Sequence, residues 1–305
     1  MDAVLFQEPR RRTIAIDSRA GGGVLSALDF GDPERPIDVV FVHANGFNAL
    51  TYRTILSPLA AGLRILAIDQ RGHGETLLPG DPAGRRSWDD LRDDLVGLMD
   101  ALARTPEGQG PMVFSGHSMG GSVSLLAAAA RPGRAKALVL FDPVVMPRGL
   151  GWYARLPWTA SVFRRQPIAQ GALRRRSVFD SRSAAFDAYK GRGAFKTWPD
   201  AVLADYVEGG FVDRPDGKVE LACAPEWEAS SYVAQGSDVW GAARRVRCPV
   251  RLLRAAHGST SRIGTGAGFG GGRFDIAVVE GSSHFLPMER PELVREALLA
   301  AVGRG

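Results

Sequence analysis

Apolar positions in this chain gather in short runs rather than in long stripes. Runs rich in Val, Ile, Leu and Phe fall at 13–17, 24–30, 38–43, 64–69, 111–115, 137–141, 249–254 and 273–280. Runs of that length, bounded by Gly, Pro and polar residues, predict strands rather than helices. Most of the later runs are separated by stretches with helical spacing. One is the small-residue segment 122–130, which ends near Pro132, and another opens at Ser87-Trp88-Asp89-Asp90, a capping-box pattern with Asp in place of Glu. Two early antiparallel strands followed by alternating strand and helix predict an α/β fold, a mostly parallel eight-stranded sheet with helices on both faces.

The rhythm breaks between 144 and 237. Helix-like pieces at 182–190 and 199–206 lie there, with four of the six tryptophans, Trp152, Trp158, Trp198 and Trp227. We therefore expect residues 1–143 and 238–305 to form one core in two parts, with 144–237 as an inserted helical domain. No internal repeat is present.

Composition narrows the class. At 305 residues, with 45% hydrophobic and 23% charged content, the chain can bury one large core as a soluble globular protein. It has no run of eighteen apolar residues, and Met1 to Glu8 lacks a signal-peptide layout, so a cytoplasmic protein without a membrane partner is expected. Cys223 and Cys248 have no metal-ligand spacing and read as free thiols. The net charge is +5 and the basic residues are almost all arginine, with dense runs at Arg10-Arg11-Arg12 and Arg174-Arg175-Arg176. No nucleic-acid motif accompanies the runs, so they read as solvated faces and no nucleic-acid partner is expected.

The most informative chemistry lies at Gly116-His117-Ser118-Met119-Gly120, between the strand at 111–115 and the helix at 122–130. A hydroxyl nucleophile needs a sharp strand-to-helix turn that exposes its side chain. The G-x-S-x-G pattern supplies one, because its glycines remove side chains that would collide in the turn. A serine of this kind needs an adjacent base, and the late strand at 273–280 leads into Gly281-Ser282-Ser283-His284. Gly266, Gly268 and Gly271 fit G-x-G-x-x-G, but no strand immediately precedes them and no helix opens there. A flexible loop after the seventh strand, not a dinucleotide site, is expected.

Several further pieces complete a pattern: Val42-His43 after a strand, Asp69-Gln70-Arg71-Gly72-His73-Gly74, Gly116 to Gly121, and Gly281 to His284 followed by Glu289-Arg290-Pro291-Glu292. Over about two-thirds of its length the chain resembles the α/β-hydrolase superfamily, specifically its cap-bearing members. The resemblance implies a helical cap inserted after strand six, Ser118 as nucleophile, His284 as base, and no metal or cofactor. Most members place the acid after strand seven in a Gly-x-x-Asp loop. Here that stretch is Arg254-Ala255-Ala256-His257-Gly258-Ser259-Thr260, and no Asp or Glu follows until Asp275. A minority carry the acid after strand six, which selects Asp142 of Phe141-Asp142-Pro143. In other relatives an Asp ends strand six without being the acid.

Two backbone donors for an oxyanion are also implied: Met119 N–H, directly after the nucleophile, and one from the loop His43-Ala44-Asn45-Gly46-Phe47-Asn48. Relatives read His-Gly-x-Pro there. Counting from His43 selects Asn45, whereas Asn45-Gly46 standing in for His-Gly would select Phe47. Among the other histidines, His117 has a packing role in relatives, His43 and His73 are expected to hold their loops, and His257 has no assigned role. Trp152, Trp158, Trp198 and Trp227, with Phe47, are expected as an apolar lining for a small-molecule substrate. The expected activity is hydrolysis of a carboxylic ester or related acyl bond. A serine nucleophile argues against epoxide and haloalkane chemistry, while carbon–carbon bond hydrolases and perhydrolases share the triad. The alternative class is a non-catalytic ligand-binding protein of the same fold, and the oligomeric state stays open.

Overall fold

The computed structural model describes residues 8–156, 158–264 and 268–303. Met1 to Gln7 and Gly266 lie outside them. The strands of the main sheet are β1 (Arg10–Ile16), β2 (Gly23–Phe30), β3 (Val39–Val42), β4 (Ile65–Ile68), β5 (Met112–His117), β6 (Ala135–Phe141), β10 (Val250–Ala255) and β11 (Phe274–Val279), in the order β1-β2-β4-β3-β5-β6-β10-β11. β2 pairs antiparallel with both β1 and β4, and the remaining pairings are parallel. Each strand overlaps one of the apolar runs.

A short turn of helix, α1 (Arg53–Leu56), follows β3, and α2 (Asp89–Leu102), α3 (Met119–Ala130), α10 (Val239–Arg245), α11 (Leu286–Glu289) and α12 (Pro291–Val302) flank the sheet. β3 is buried on both faces, and its alternation feeds two cores. Val40 and Val42 join Leu91, Leu95 and Val123 of α2 and α3, while Val39 and Phe41 join Val294 and Leu298 of α12. The expected capping box at α2 does not form. Trp88 takes the cap position without a side-chain bond, Asp89 N–H reaches Ser87 Oγ only at 3.4 Å, and Arg85 holds the Asp90 carboxylate at 2.8 Å.

Between β6 and α10 the chain forms α4 (Leu150–Tyr153), α5 (Thr159–Arg164), α6 (Pro167–Leu173), α7 (Arg182–Tyr189), α8 (Asp200–Gly209) and α9 (Pro225–Val233). The stretch is not purely helical. β7 (Val178–Phe179), β8 (Phe211–Asp213) and β9 (Val219–Leu221) make a small antiparallel sheet in the order β7-β9-β8, built from strands too short to leave a period in the sequence.

One arginine run differs from its expected solvated state. Arg11 pairs with the buried Asp69 at 2.8 Å, and Arg12 reaches Asp29 and Glu107 at 3.2 and 2.7 Å. Asp29 also accepts from the buried Arg64, so the first run is consumed in neutralising buried carboxylates.

The approach of β3 to the β5–α3 turn sets the tightest steric limit in the core. A Cβ at Gly120 would sit 2.2 Å from Val42 O and 2.4 Å from His43 O. Gly120→Ala is expected to cost about 4 kcal/mol or more, a drop in melting temperature of roughly 10 °C. Gly62→Ala, where a Cβ meets nothing within 4 Å, serves as the control and should melt like the parent. Equal melting of the two variants would show that β3 does not sit against this turn.

Candidate active site

At the end of β5, Ser118 adopts φ +55°, a left-handed conformation rare for a residue with a side chain. The turn is held from several sides: Ser118 N–H donates to Phe141 O at 2.9 Å, and Ser118 O accepts from Ser122 N–H at 3.2 Å and from Val144 N–H at 3.3 Å. His284 approaches from the loop after β11. Its Nε2 lies 3.0 Å from Ser118 Oγ and its Nδ1 lies 2.6 Å from Asp142 Oδ2. The loop carrying it is tied down by Glu289, which accepts from Ser283 N–H at 2.8 Å, from Ser283 Oγ–H at 2.7 Å and from Thr197 Oγ1–H at 2.7 Å.

Asp142 is fully buried and also left-handed, at φ +42°. Its Oδ1 accepts from Ala255 N–H at 3.0 Å and Ser259 Oγ–H at 2.6 Å, and its Oδ2 from Thr260 N–H at 3.0 Å. Burial pushes this carboxyl up, but the hydrogen bond and charge of His284, with Ser259 and the Thr260 N–H, outweigh it and hold the group below the ordinary carboxylate range. Ser259 and Thr260 were not singled out from sequence. They stand in the stretch where relatives carry the acid, and Thr260 Oγ1 lies 3.4 Å from the same His284 nitrogen that Asp142 meets.

Three other histidines are buried, and their bonds fix neutral tautomers. His43 Nε2 accepts from Gln70 N–H at 2.9 Å while Nδ1 lies 2.7 Å from Ala44 O, and His73 Nε2 accepts from Gly46 N–H at 3.1 Å. His117 spans Tyr52 Oη, 2.9 Å from its Nδ1, and the carbonyl of His284, 2.8 Å from its Nε2. This contact to the histidine loop was invisible in the sequence, because the partners are 65 and 167 residues away. His257 is exposed.

Most backbone donors of the loop after β3 are already occupied. Ala44 N–H reaches Tyr52 Oη at 3.3 Å, Gly46 N–H goes to His73, and Phe47 N–H donates to Ala44 O at 3.1 Å. Asn45 N–H and Met119 N–H have no recorded partner among the described residues. Met119 opens α3, whose positive end favours developing negative charge.

The aromatic candidates divide. Trp198 stacks edge-on against Phe47 at 5.2 Å and Phe285 at 5.8 Å, and Phe285 lies 5.5 Å from the His284 ring. Trp152 and Trp158 are instead 78% and 60% exposed, because α4 and α5 turn Ala154 and Thr159 inward and leave the indoles outside. They do not line an interior site. Trp227 is buried elsewhere, under the Arg85 guanidinium at 4.0 Å and against Gly72. A cleft of about 750 Å³ between α2, α3 and α10 contains none of these residues. Among the described residues no three His, Cys, Asp or Glu side chains are grouped to hold a metal.

Residues 39–297 match the family model described as "Alpha/beta hydrolase family". The chain is an α/β hydrolase. It is 25% identical over 273 residues to 2-(acetamidomethylene)succinate hydrolase of Mesorhizobium japonicum, covering 85% of this chain and 86% of that protein. A shorter match, 56% identical over 113 residues, is to Lipase LipV of Mycobacterium tuberculosis and covers 37% of this chain and 40% of the lipase. The crystal structure of E-2-(acetamidomethylene)succinate hydrolase superimposes with a TM-score of 0.73 at 22% identity, over 96% of this hydrolase and 100% of that chain. At that identity the likeness shows the fold.

Burial lowers the pKa of His43 to about 4 and, together with the charge of His284, that of His117 to about 3; His73 is pushed well below 6.5 by burial and the neighbouring His43. In the unfolded hydrolase the same imidazoles protonate near 6.5. Unfolding therefore takes up protons below that pH, and stability falls as pH drops from 6.5 toward 4. The expected slope is about 1.4 kcal/mol per pH unit for each proton, up to about three protons. Urea unfolding across this range should show it, and His117→Gln should shallow the slope by about one proton. A flat profile would mean that these rings are accessible and charged.

Proposed function

We propose that this α/β hydrolase is a serine hydrolase that cleaves a carboxylic ester or related acyl bond of a small, partly apolar substrate through an acyl-enzyme. The observation that carries the reading is the unbroken chain Ser118 Oγ, His284 Nε2, His284 Nδ1, Asp142 Oδ2, with contacts of 3.0 and 2.6 Å. In the proposed cycle His284 takes the Ser118 proton as Oγ attacks the acyl carbon, then delivers it to the leaving group as the bond breaks. Water then enters the same path, giving one proton to His284 and its oxygen to the acyl carbon, and His284 returns that proton to Ser118 Oγ as the acyl–oxygen bond breaks. Asp142 keeps the Nδ1 proton in place and offsets the imidazolium charge without taking the proton itself.

Asn45 and Met119 N–H are the proposed oxyanion donors. The spent donor of Phe47 favours Asn45 over Phe47 in this role. Residues 144–237 act as the cap in this reading. Support comes from the contacts they make with the β3 loop, where Asn45 Nδ2 donates to Glu228 O at 3.0 Å and Trp198 packs on Phe47.

A fluorophosphonate probe should label Ser118 alone, read by mass spectrometry of the digested protein, and Ser118→Ala should lose labelling and short-chain aryl-ester hydrolysis. Folded protein that stays unlabelled would refute the enzyme reading in favour of a non-catalytic binder.

A second test concerns the acid. Asp142→Asn should lower kcat by about 10⁴. Because Thr260 Oγ1 lies within reach of the same nitrogen, adding Thr260→Asp to Asp142→Asn should recover roughly tenfold or more of that loss. Near-full activity in Asp142→Asn would place the acid elsewhere.

A further inference from the structure

From Pro143 to Phe179 the sequence contains no Asp or Glu and seven arginines, Arg148, Arg155, Arg164, Arg165, Arg174, Arg175 and Arg176. That charge exceeds the +5 of the whole chain, so the remainder of the protein is net negative. Of the seven, only Arg175 has a carboxylate partner among the described residues, Glu228, at 2.5 Å. The other six are exposed.

The same stretch carries an unusual set of exposed apolar side chains: Trp152 at 78%, Trp158 at 60%, Ile168 at 57%, Val162 at 45% and Tyr153 at 43%. Their arrangement follows helical geometry. Trp158, Val162 and Arg165 share one face of α5, and Ile168 and Arg174 lie on the outer side of α6, whose Ala169 and Ala172 are buried. α5 and α6 pack against α9 and bury Thr159, Ala169 and Ala172, which leaves Trp158, Val162, Arg164, Arg165 and Ile168 exposed to solvent, whereas Arg155 donates to Gly236 O at 2.6 Å.

We propose that this outer face of α4–α6 docks the protein peripherally on an anionic phospholipid surface. Indole and phenol rings sit at the boundary between headgroups and acyl chains, aliphatic side chains enter it, and arginines meet the lipid phosphates. No helix among the described residues is long and apolar enough to cross a membrane, so the contact is one of surface binding. Charge complementarity selects this occupant over the others. A second copy would oppose arginine to arginine, and a nucleic acid would meet the arginines but leave Val162 and Ile168 unused.

The proposal stands independently of the catalytic reading, and its test needs no turnover. The full chain is mixed with vesicles of phosphatidylcholine alone, or with phosphatidylglycerol at roughly 30 mol %, and sedimented. Binding to the anionic vesicles, little to the neutral ones, and weakening with added salt are expected. Each basic residue at such a surface contributes roughly fivefold in partitioning. Arg164→Glu with Arg165→Glu should therefore weaken binding by more than about tenfold, as should Trp152→Ala with Trp158→Ala. Arg104→Glu with Arg247→Glu makes the same charge change at exposed sites outside this stretch and should leave binding within about twofold. Melting curves establish that each variant is folded, and a blue shift of indole emission on adding vesicles gives a second readout. Failure of folded parent protein to bind anionic vesicles would overturn the proposal. So would an equal loss in the Arg104/Arg247 pair, or an oligonucleotide that binds through the same tryptophans and displaces the vesicles.

Discussion

Three stretches of chain distant in sequence meet at the Asp142 carboxylate, and the geometry around Ser118 depends on that meeting. A fully buried carboxylate is unfavourable unless donors replace the water it loses. Here Ala255 at the end of β10 and Ser259 and Thr260 in the loop after it supply them, and His284 supplies another from the loop after β11. The same bonds that make the charge tolerable fix β10 and the histidine loop against the end of β6. They also hold Asp142 at φ +42°, which would otherwise relax. Asp142, His284 and Ser118 are thus positioned by one desolvation problem and its solution.

A second layer of the same logic surrounds Ser118. His43, His73 and His117 are buried and stay uncharged, each with both ring nitrogens matched to a backbone or hydroxyl group. A charged imidazole at these places would lack water and sit beside other rings of the same kind. Neutrality lets each ring donate once and accept once, which is what a loop needs to be held from two sides. His117 in particular couples Tyr52, on the β3 side, to the backbone of His284.

How far the sequence could be read follows from the range of each signal. β3 and β6 are apolar runs whose burial leaves a local trace, so their limits fall within two residues of the structure. Ser118 and His284 sit in short glycine-bearing motifs and were legible for the same reason. Asp142 was legible only by exclusion, since the stretch after β10 offers no Asp or Glu before Asp275. Ser259, Thr260 and the bridging role of His117 had no trace, because a hydroxyl or a neutral imidazole acquires its meaning from a partner far along the chain. The tryptophans erred in the opposite direction. Apolarity predicts burial, yet α4 and α5 are so short that Ala154 and Thr159 satisfy their inward faces, leaving Trp152 and Trp158 outside.

Charge was the other place where composition and structure parted. The runs at Arg10–Arg12 and Arg174–Arg176 look alike in sequence and differ in surroundings. β1 lies beside β2, whose buried Asp29 demands counter-charge, and next to Asp69 at the end of β4, so its arginines are drawn inward and neutralised. The stretch after β6 brings no carboxylate of its own and, among the described residues, forms an ion pair only between Arg175 and Glu228, while Arg176 lies over the Phe179 ring. A segment that packs through alanines and a threonine places few demands on its outer residues. Its surface can therefore become basic and aromatic while the sheet, the elbow and the buried carboxylate that organise Ser118 stay as they are. Separation of charge along the molecule is then a property of the stretch after β6, physically independent of the geometry around Ser118.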